Sequence, residues 1–301
     1  MTLAPGTTAH QNTEAPAVVP SQVGVLGGGR MGAGIAHAFL VAGSHVTVVE
    51  RDADAAAAAH ERVLGAVDTA LRLGAIEGAR SSFADRLSVA TDASAFAGAG
   101  LVVEAVPEVV SLKSQALRSV EAHLAPDAWL ASNTSSLSIT DLAGVLERPA
   151  RFIGLHFFNP VPVSTLIEVV TGAATSPELV ALAAGWVSAL GKTPILVRDS
   201  PGFASSRLGV AIALEAIRMV EEGVASPADI DAAMVLGYKH PVGPLRTTDL
   251  VGLDVRLGIA EHLHSTLGER FAPPQLLRDL VARGDLGRKS GRGFFDWKDA
   301  S

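Results

Sequence analysis

At 301 residues, with 48% hydrophobic and 18% charged side chains, the chain is long enough for two domains and apolar enough to bury a large core. Its formal net charge of −7 gives no basic footprint for nucleic acid. Without cysteine it has no disulfide, thiolate metal site or cysteine nucleophile, and no metal centre is expected.

Residues 1–20 are rich in Thr, Ala and Pro, with no apolar run and no basic start, which predicts a flexible tail rather than a leader. No stretch reaches the ~18 uninterrupted apolar residues of a membrane span. A cytoplasmic protein with neither nucleic acid nor membrane as partner is expected. Val23-Gly24-Val25-Leu26 reads as a strand, Gly27-Gly28-Gly29-Arg30-Met31-Gly32 as a turn, and the apolar run from Gly34 as a helix. Gly27, Gly29 and Gly32 fit G-x-G-x-x-G, the dinucleotide-binding fingerprint. The helix N-terminus that follows supplies free N–H groups and partial positive charge for a pyrophosphate. A second strand, His45–Val49, ends at Glu50, 18 residues past Gly32. An acid there bonds a ribose hydroxyl and repels a 2′-phosphate, which favours NAD over NADP. Arg51, next to it, is the residue type that would accept such a phosphate.

An alanine-rich helix is predicted over 53–73, then short strands at 88–90, 101–106 and 129–132, with a helix at 112–123 between the last two. Glu108 follows the 101–106 strand at the carboxyl edge of the sheet, where ligands of open α/β sheets sit. Strands at 152–157 and 165–170 flank Asn159-Pro160-Val161-Pro162, which two prolines stiffen. Ser176-Pro177-Glu178 starts a helix that stops near Gly191, and 193–197 closes the sheet. Beyond Asp199-Ser200-Pro201-Gly202 the β-branched runs disappear. One long helix is expected from Phe203 to Glu222, with a stripe at Leu208, Ile212, Glu215 and Met219. Further helices are expected from Ser226, at 249–266 and at 274–283. The fold class is therefore α/β and Rossmann-like, a mostly parallel sheet with an added strand pair over 21–200, followed by an all-α domain over 201–301.

His156 and Glu168 lie 12 residues apart with Pro162 midway between them. If their strands pair antiparallel, the two face each other on one side of the ladder. A carboxylate among Leu166, Ile167, Val169 and Val170 needs a partner, and a histidine N–H is a suitable one. The carboxylate would fix the tautomer and leave the other ring nitrogen free to take a proton from a substrate alcohol. Alcohol oxidation by NAD needs one seat for the proton and one for the hydride, and this sequence offers both.

The glycine turn with Ile35-Ala36, Asn133-Thr134-Ser135-Ser136-Leu137, Gly154-Leu155-His156-Phe157-Phe158-Asn159-Pro160-Val161-Pro162, Asp199-Ser200-Pro201-Gly202-Phe203 and the run from Leu286 to Phe294 together resemble the 3-hydroxyacyl-CoA dehydrogenases. The 3-hydroxybutyryl-CoA branch is nearest. The resemblance covers about residues 21–297 and implies oxidation of an (S)-3-hydroxyacyl-CoA by NAD, in a homodimer. It makes His156 the general base, Glu168 its orienting partner and Ser135 a hydrogen-bond partner of the substrate oxygen. Glu108, Lys113, Asn133 and Asn159 fall where the family contacts nicotinamide or substrate, and Lys289 on a tail lysine that reaches the cofactor. Ser206 stands where the family has asparagine before arginine. Residues 53–79 lack the lysines that meet CoA phosphates in the family, leaving Arg62 or Arg72 for that task. Two other readings stay open: an NAD-linked dehydrogenase of a free hydroxy acid or sugar acid such as gulonate, and a catalytically idle NAD-binding protein.

Overall fold

The computed structural model describes residues 18–298, so most of the expected tail lies outside the described residues. Its described end, 18–20, is already anchored: Val19 is buried and the Ser44 hydroxyl donates to the Pro20 carbonyl. Eight strands form one sheet: β1 (Gln22–Leu26), β2 (His45–Val49), β3 (Leu87–Ala90), β4 (Leu101–Glu104), β5 (Trp129–Ser132), β6 (Phe152–Phe157), β7 (Leu166–Thr171) and β8 (Thr193–Arg198). Their order is β3-β2-β1-β4-β5-β6-β7-β8. The first six run parallel; β7 is antiparallel to β6, and β8 parallel to β7. The chain reverses direction across the sheet between β1 and β4, which opens a crevice at their carboxyl ends.

Alternate side chains of the strands enter two cores. On one face Val23 and Val25 pack with Ile35 and Phe39 of α1 (Arg30–Val41), Val63 of α2 (Ala53–Arg72) and, further along the sheet, Trp186. On the other, Val102 and Leu130 pack with Phe96, Leu117, Ile139 and Phe203. Two short helices on this half escape a sequence reading, α3 (Arg80–Ala84) and α5 (Ile139–Ala143), flanking α4 (Val110–Glu121) in the chain. Five residues show too little periodicity to read, although the Ser138 hydroxyl caps α5 at the Asp141 amide. Helix α6 (Pro177–Ala189) starts at its Ser176 cap as expected.

The second half is helical among the described residues: α7 (Ser205–Glu221), α8 (Pro227–Ala232), α9 (Pro244–Val251), α10 (Leu253–Leu267) and α11 (Gln275–Ala282). They close on a core of Val210, Leu214, Ile217, Leu245, Leu253 and Leu263. Two expectations are corrected here. The buried stripe of α7 is Val210, Ala213, Leu214 and Ile217, whereas Leu208 and Ile212 face solvent and Glu215 is exposed. The helix carries apolar residues all round, so two phases fit its pattern and packing selects the other one. The helix expected at 249–266 is two helices. Gly252, at φ 108°, breaks them apart in a conformation that side-chain-bearing residues avoid, and Pro244 at the first position opens the earlier one.

Candidate active site

Two structures meet at the carboxyl edge of the sheet. The first is the glycine turn. Gly29 is the N-cap of α1, and having no side chain it leaves the first N–H groups of the helix free. A Cβ on Gly32 would lie 1.7 Å from the Gly27 carbonyl oxygen, so only glycine lets turn and helix approach this closely. A Cβ on Gly29, in contrast, would meet no described atom within 4 Å; the space above the turn is open. Gly28 lies at the centre of this turn, Arg30 is exposed on the first turn of α1 and Met31 half-buried beside it. The Gly28 N–H donates to Glu50 Oε1 at 2.8 Å, which ties the acid at the end of β2 to the turn. The Arg51 guanidinium pairs with Asp52 at 3.0 Å, while the Arg51 amide donates to Glu50 Oε2 at 3.2 Å. From α2, Arg62 donates to the Gly28 carbonyl at 3.0 Å, while Arg72 stays exposed in the last turn. These residues fit a dinucleotide: an open turn at a helix N-terminus with the Glu50 carboxylate beside it at the end of β2.

The second is the pair. The β6–β7 register sets His156 opposite Glu168. His156 Nδ1 stands 2.7 Å from Glu168 Oε2, with the imidazole 8% exposed and the carboxylate fully buried. Glu168 also accepts from the Ser205 hydroxyl on Oε2 at 2.7 Å, and from the Ser205 and Ala204 amides on Oε1 at 2.8 and 3.1 Å. Burial alone would raise the carboxyl, but the hydrogen bonds from His156 and Ser205 outweigh it and hold Glu168 below the usual range. The acid is therefore ionised at neutral pH and can only accept, so Nδ1 carries a proton toward it, and in the neutral imidazole the lone pair is on Nε2. The rings of Phe158 and Phe203 lie 4.5 and 5.7 Å from the imidazole, between centroids, and fix its plane.

Between turn and pair runs a polar network at the ends of β4 and β5. Lys113 is buried, 2.7 Å from Glu104, 3.3 Å from Glu108 and 3.1 Å from the Val106 carbonyl. Glu108 Oε1 accepts from the Thr134 hydroxyl and from the Ser135 and Ser136 amides. Burial pushes the Glu108 carboxyl up, yet Lys113 and these donors bring it below its ordinary value. Asn133 accepts from the Phe157 amide at 2.9 Å, which joins the end of β5 to the end of β6 one residue past His156.

The structure thus brings Glu108, Lys113, Asn133, Ser135, His156 and Glu168 to one edge. Asn159 is exposed three residues past His156. Ser206 is half-buried and makes no side-chain hydrogen bond among the described residues; the serine that engages the pair is Ser205. Lys289 is held by Asp254 at 2.6 Å on α10. Its segment is folded onto the helical half, because buried Asp249 accepts from the amides of Phe294 and Phe295 and from the Trp297 indole. Sequence reasoning missed Glu104, Ser205 and Asp249. For Glu104 the signal was an acid ending an apolar strand nine residues before Lys113; Ser205 donates through both hydroxyl and amide, and no local pattern tells it from its neighbour Ser206.

Residues 22–200 match the family model described as 3-hydroxyacyl-CoA dehydrogenase, NAD binding domain, and residues 202–297 match that of the C-terminal domain. The chain belongs to the 3-hydroxyacyl-CoA dehydrogenase family. Among the relatives of this family member, 3-hydroxybutyryl-CoA dehydrogenase of Mycobacterium tuberculosis is 41% identical over 280 residues, spanning 92% of this chain and 98% of the relative. The mitochondrial hydroxyacyl-coenzyme A dehydrogenase of Rattus norvegicus is 37% identical over 290 residues, 93% of this chain and 92% of the relative. The crystal structure of (S)-3-hydroxybutyryl-CoA dehydrogenase from Ralstonia eutropha superposes with a TM-score of 0.89 at 38% identity, over 93% of this chain and 99% of that one.

Proposed function

We propose that this 3-hydroxyacyl-CoA dehydrogenase oxidises short-chain (S)-3-hydroxyacyl-CoA, 3-hydroxybutyryl-CoA foremost, to the 3-oxoacyl-CoA with NAD, reversibly, within fatty acid metabolism. The observation that carries the reading is the 2.7 Å bond between His156 Nδ1 and Glu168. It leaves Nε2 as an acceptor at the end of β6, beside the crevice. Nε2 takes the proton of the 3-hydroxyl, and Glu168 stabilises the imidazolium that forms. Ser135 bonds the same oxygen, and Ser206 the thioester side of the substrate. NAD, bound along Gly27, Gly28, Gly29, Arg30, Met31, Gly32 and Glu50, supplies the hydride acceptor. Glu108, Lys113, Asn133 and Asn159 hold the nicotinamide half in place, and Lys289 lies on the segment that would reach it.

The enzyme works as a cytoplasmic homodimer in this reading. No described helix is long and apolar enough to cross a membrane. Leu208 and Ile212, exposed on α7, supply apolar surface suited to a second copy.

The test is loss of NADH absorbance at 340 nm with acetoacetyl-CoA, compared with free acetoacetate and with gulonate oxidation. Turnover of the thioester alone is expected. Activity on free acids only selects a hydroxy-acid dehydrogenase, and cofactor binding without turnover selects an idle binding protein.

A further inference from the structure

Arg256, the fourth residue of α10, is only 8% exposed, yet none of the described residues accepts a hydrogen bond from it or pairs with its charge. Burial lowers its pKa to about 10, so it is charged at neutral pH. Of its three nitrogens only Nε is sealed from solvent. The acids of α7 and α10 are engaged elsewhere: Asp254 with Lys289, Glu261 with Arg278, Glu215 with Arg218, and Glu221 with the Leu276 amide. A guanidinium held out of water with no acceptor is costly. An acceptor brought by an incoming ligand would offset that cost.

Helix α7 sets where this side chain ends. A Cβ on Gly209 would lie 3.2 Å from Arg256 Nη1, and its three nearest atoms all belong to the guanidinium. Glycine is a poor residue for a helix interior, and here it clears the space that the guanidinium borders. Gly209 follows Ser205 by four residues and Ser206 by three, so the three share one face of α7. That face meets the pair, because the Ser205 hydroxyl donates to Glu168 Oε2 at 2.7 Å. The Ser206 hydroxyl makes no hydrogen bond among the described residues. A neutral donor and a charged one are thus left free on the same side of α7, next to the anion that orients the imidazole. What they fit is an oxygen that only accepts. In a 3-hydroxyacyl thioester, the acceptor two carbons from the reacting carbon is the C1 carbonyl oxygen.

We propose that Arg256, with Ser206, holds the C1 carbonyl oxygen of the thioester and so sets the reacting carbon against His156. The proposal rests on the acyl-CoA reading above. The guanidinium is planar with its donors in a fixed fork, so it fixes the direction of that carbonyl as well as its place. No proton is exchanged, and the 3-hydroxy and 3-oxo thioesters both carry this carbonyl. The two are therefore held alike, and losing the contact raises KM more than it lowers kcat.

The experiment measures KM for acetoacetyl-CoA and for NADH, kcat and melting temperature in wild type, Arg256→Met and Gly209→Ala. A hydrogen bond from a charged donor is worth about ten- to a hundredfold in affinity. Arg256→Met is expected to raise KM for acetoacetyl-CoA at least about tenfold and to leave KM for NADH in place. Its melting temperature stays near wild type, since no internal partner is lost. Gly209→Ala crowds the guanidinium from the other side and is expected to raise the same KM about threefold or more; it carries the test if Arg256→Met does not fold. An arginine that served only packing would lower the melting temperature and leave KM for acetoacetyl-CoA unmoved. That result, or KM values for both substrates rising together, overturns the proposal while leaving the acyl-CoA reading intact. Wild-type turnover of free acetoacetate and of no thioester overturns both.

Discussion

Glu168→Gln keeps the shape of the pair and removes its charge. The carboxylate accepts four donors, two on each oxygen. Glutamine brings one accepting oxygen and an NH2 that cannot accept. If its oxygen keeps the Ala204 and Ser205 amides, the NH2 faces Nδ1–H and the Ser205 hydroxyl. The ring then moves its proton to Nε2 and loses the lone pair that would take the substrate proton. The imidazolium of the forward reaction also loses its anion. Together these are worth about 4 kcal/mol, or roughly a 10³-fold fall in kcat. NADH affinity, read by fluorescence titration, stays near wild type because the glycine turn and Glu50 sit on other elements. There is also a stability arm. A carboxyl depressed on folding from its ordinary 4.5 contributes stability that is present above that pH and is lost as pH falls toward the folded value. Wild type should exceed the variant in melting temperature at pH 7, and the gap should close as the pH falls below 4.5. A kcat within tenfold of wild type, or NADH affinity falling in step with kcat, refutes the mechanism.

Asp249→Ala strands the amides of Phe294 and Phe295 and the Trp297 indole, each worth about 1–3 kcal/mol if it stays buried. The 287–298 segment should then detach, and trypsin should cut at Arg288, Lys289 or Arg292 long before the rest; unchanged resistance contradicts the clasp. Arg72→Glu should raise KM for acetoacetyl-CoA about tenfold at low salt and leave KM for NADH in place, the difference shrinking as salt screens it. Both constants moving together would show that Arg72 does not meet the CoA phosphates. Lys192 donates to the carbonyls of Val161 and Ser164 and so latches the turn after β6. Lys192→Met should cost about 2 kcal/mol in urea unfolding. Burial first, then Lys192, lowers the pKa of buried His37, so its NMR titration should move partway back up in that variant; an unmoved midpoint would separate the two groups.

The pair was legible because strand periodicity is two and a proline turn sits midway, so a register follows from counting; the observed register is that one. The glycine crevice was legible because the spacing of its glycines is a known fingerprint, and Gly27, Gly28 and Gly32 each answer a steric demand. What escaped was carried by the backbone or by ambiguous patterning. The amides of Ala204 and Ser205 that hold Glu168 leave no trace in side-chain identity. Helix α7 could be phased two ways, and the surrounding helices chose Val210 over Leu208. The run from Leu286 to Phe294 reads as a reach toward cofactor, yet three of its neighbouring donors converge on an aspartate some 45 residues away, a contact no local pattern encodes.

Glu168 belongs to the sheet, but three of its four donors come from Ala204 and Ser205 at the start of α7, in the other half of the molecule. The His156–Glu168 pair is thereby tied to the start of the helical half. Rocking α7 away by a single bond length strips the anion of those donors and unseats the imidazole that leans on it. In the proposed mechanism the imidazole's orienting anion is thus assembled from both halves at once, and neither half folded alone would carry a competent base.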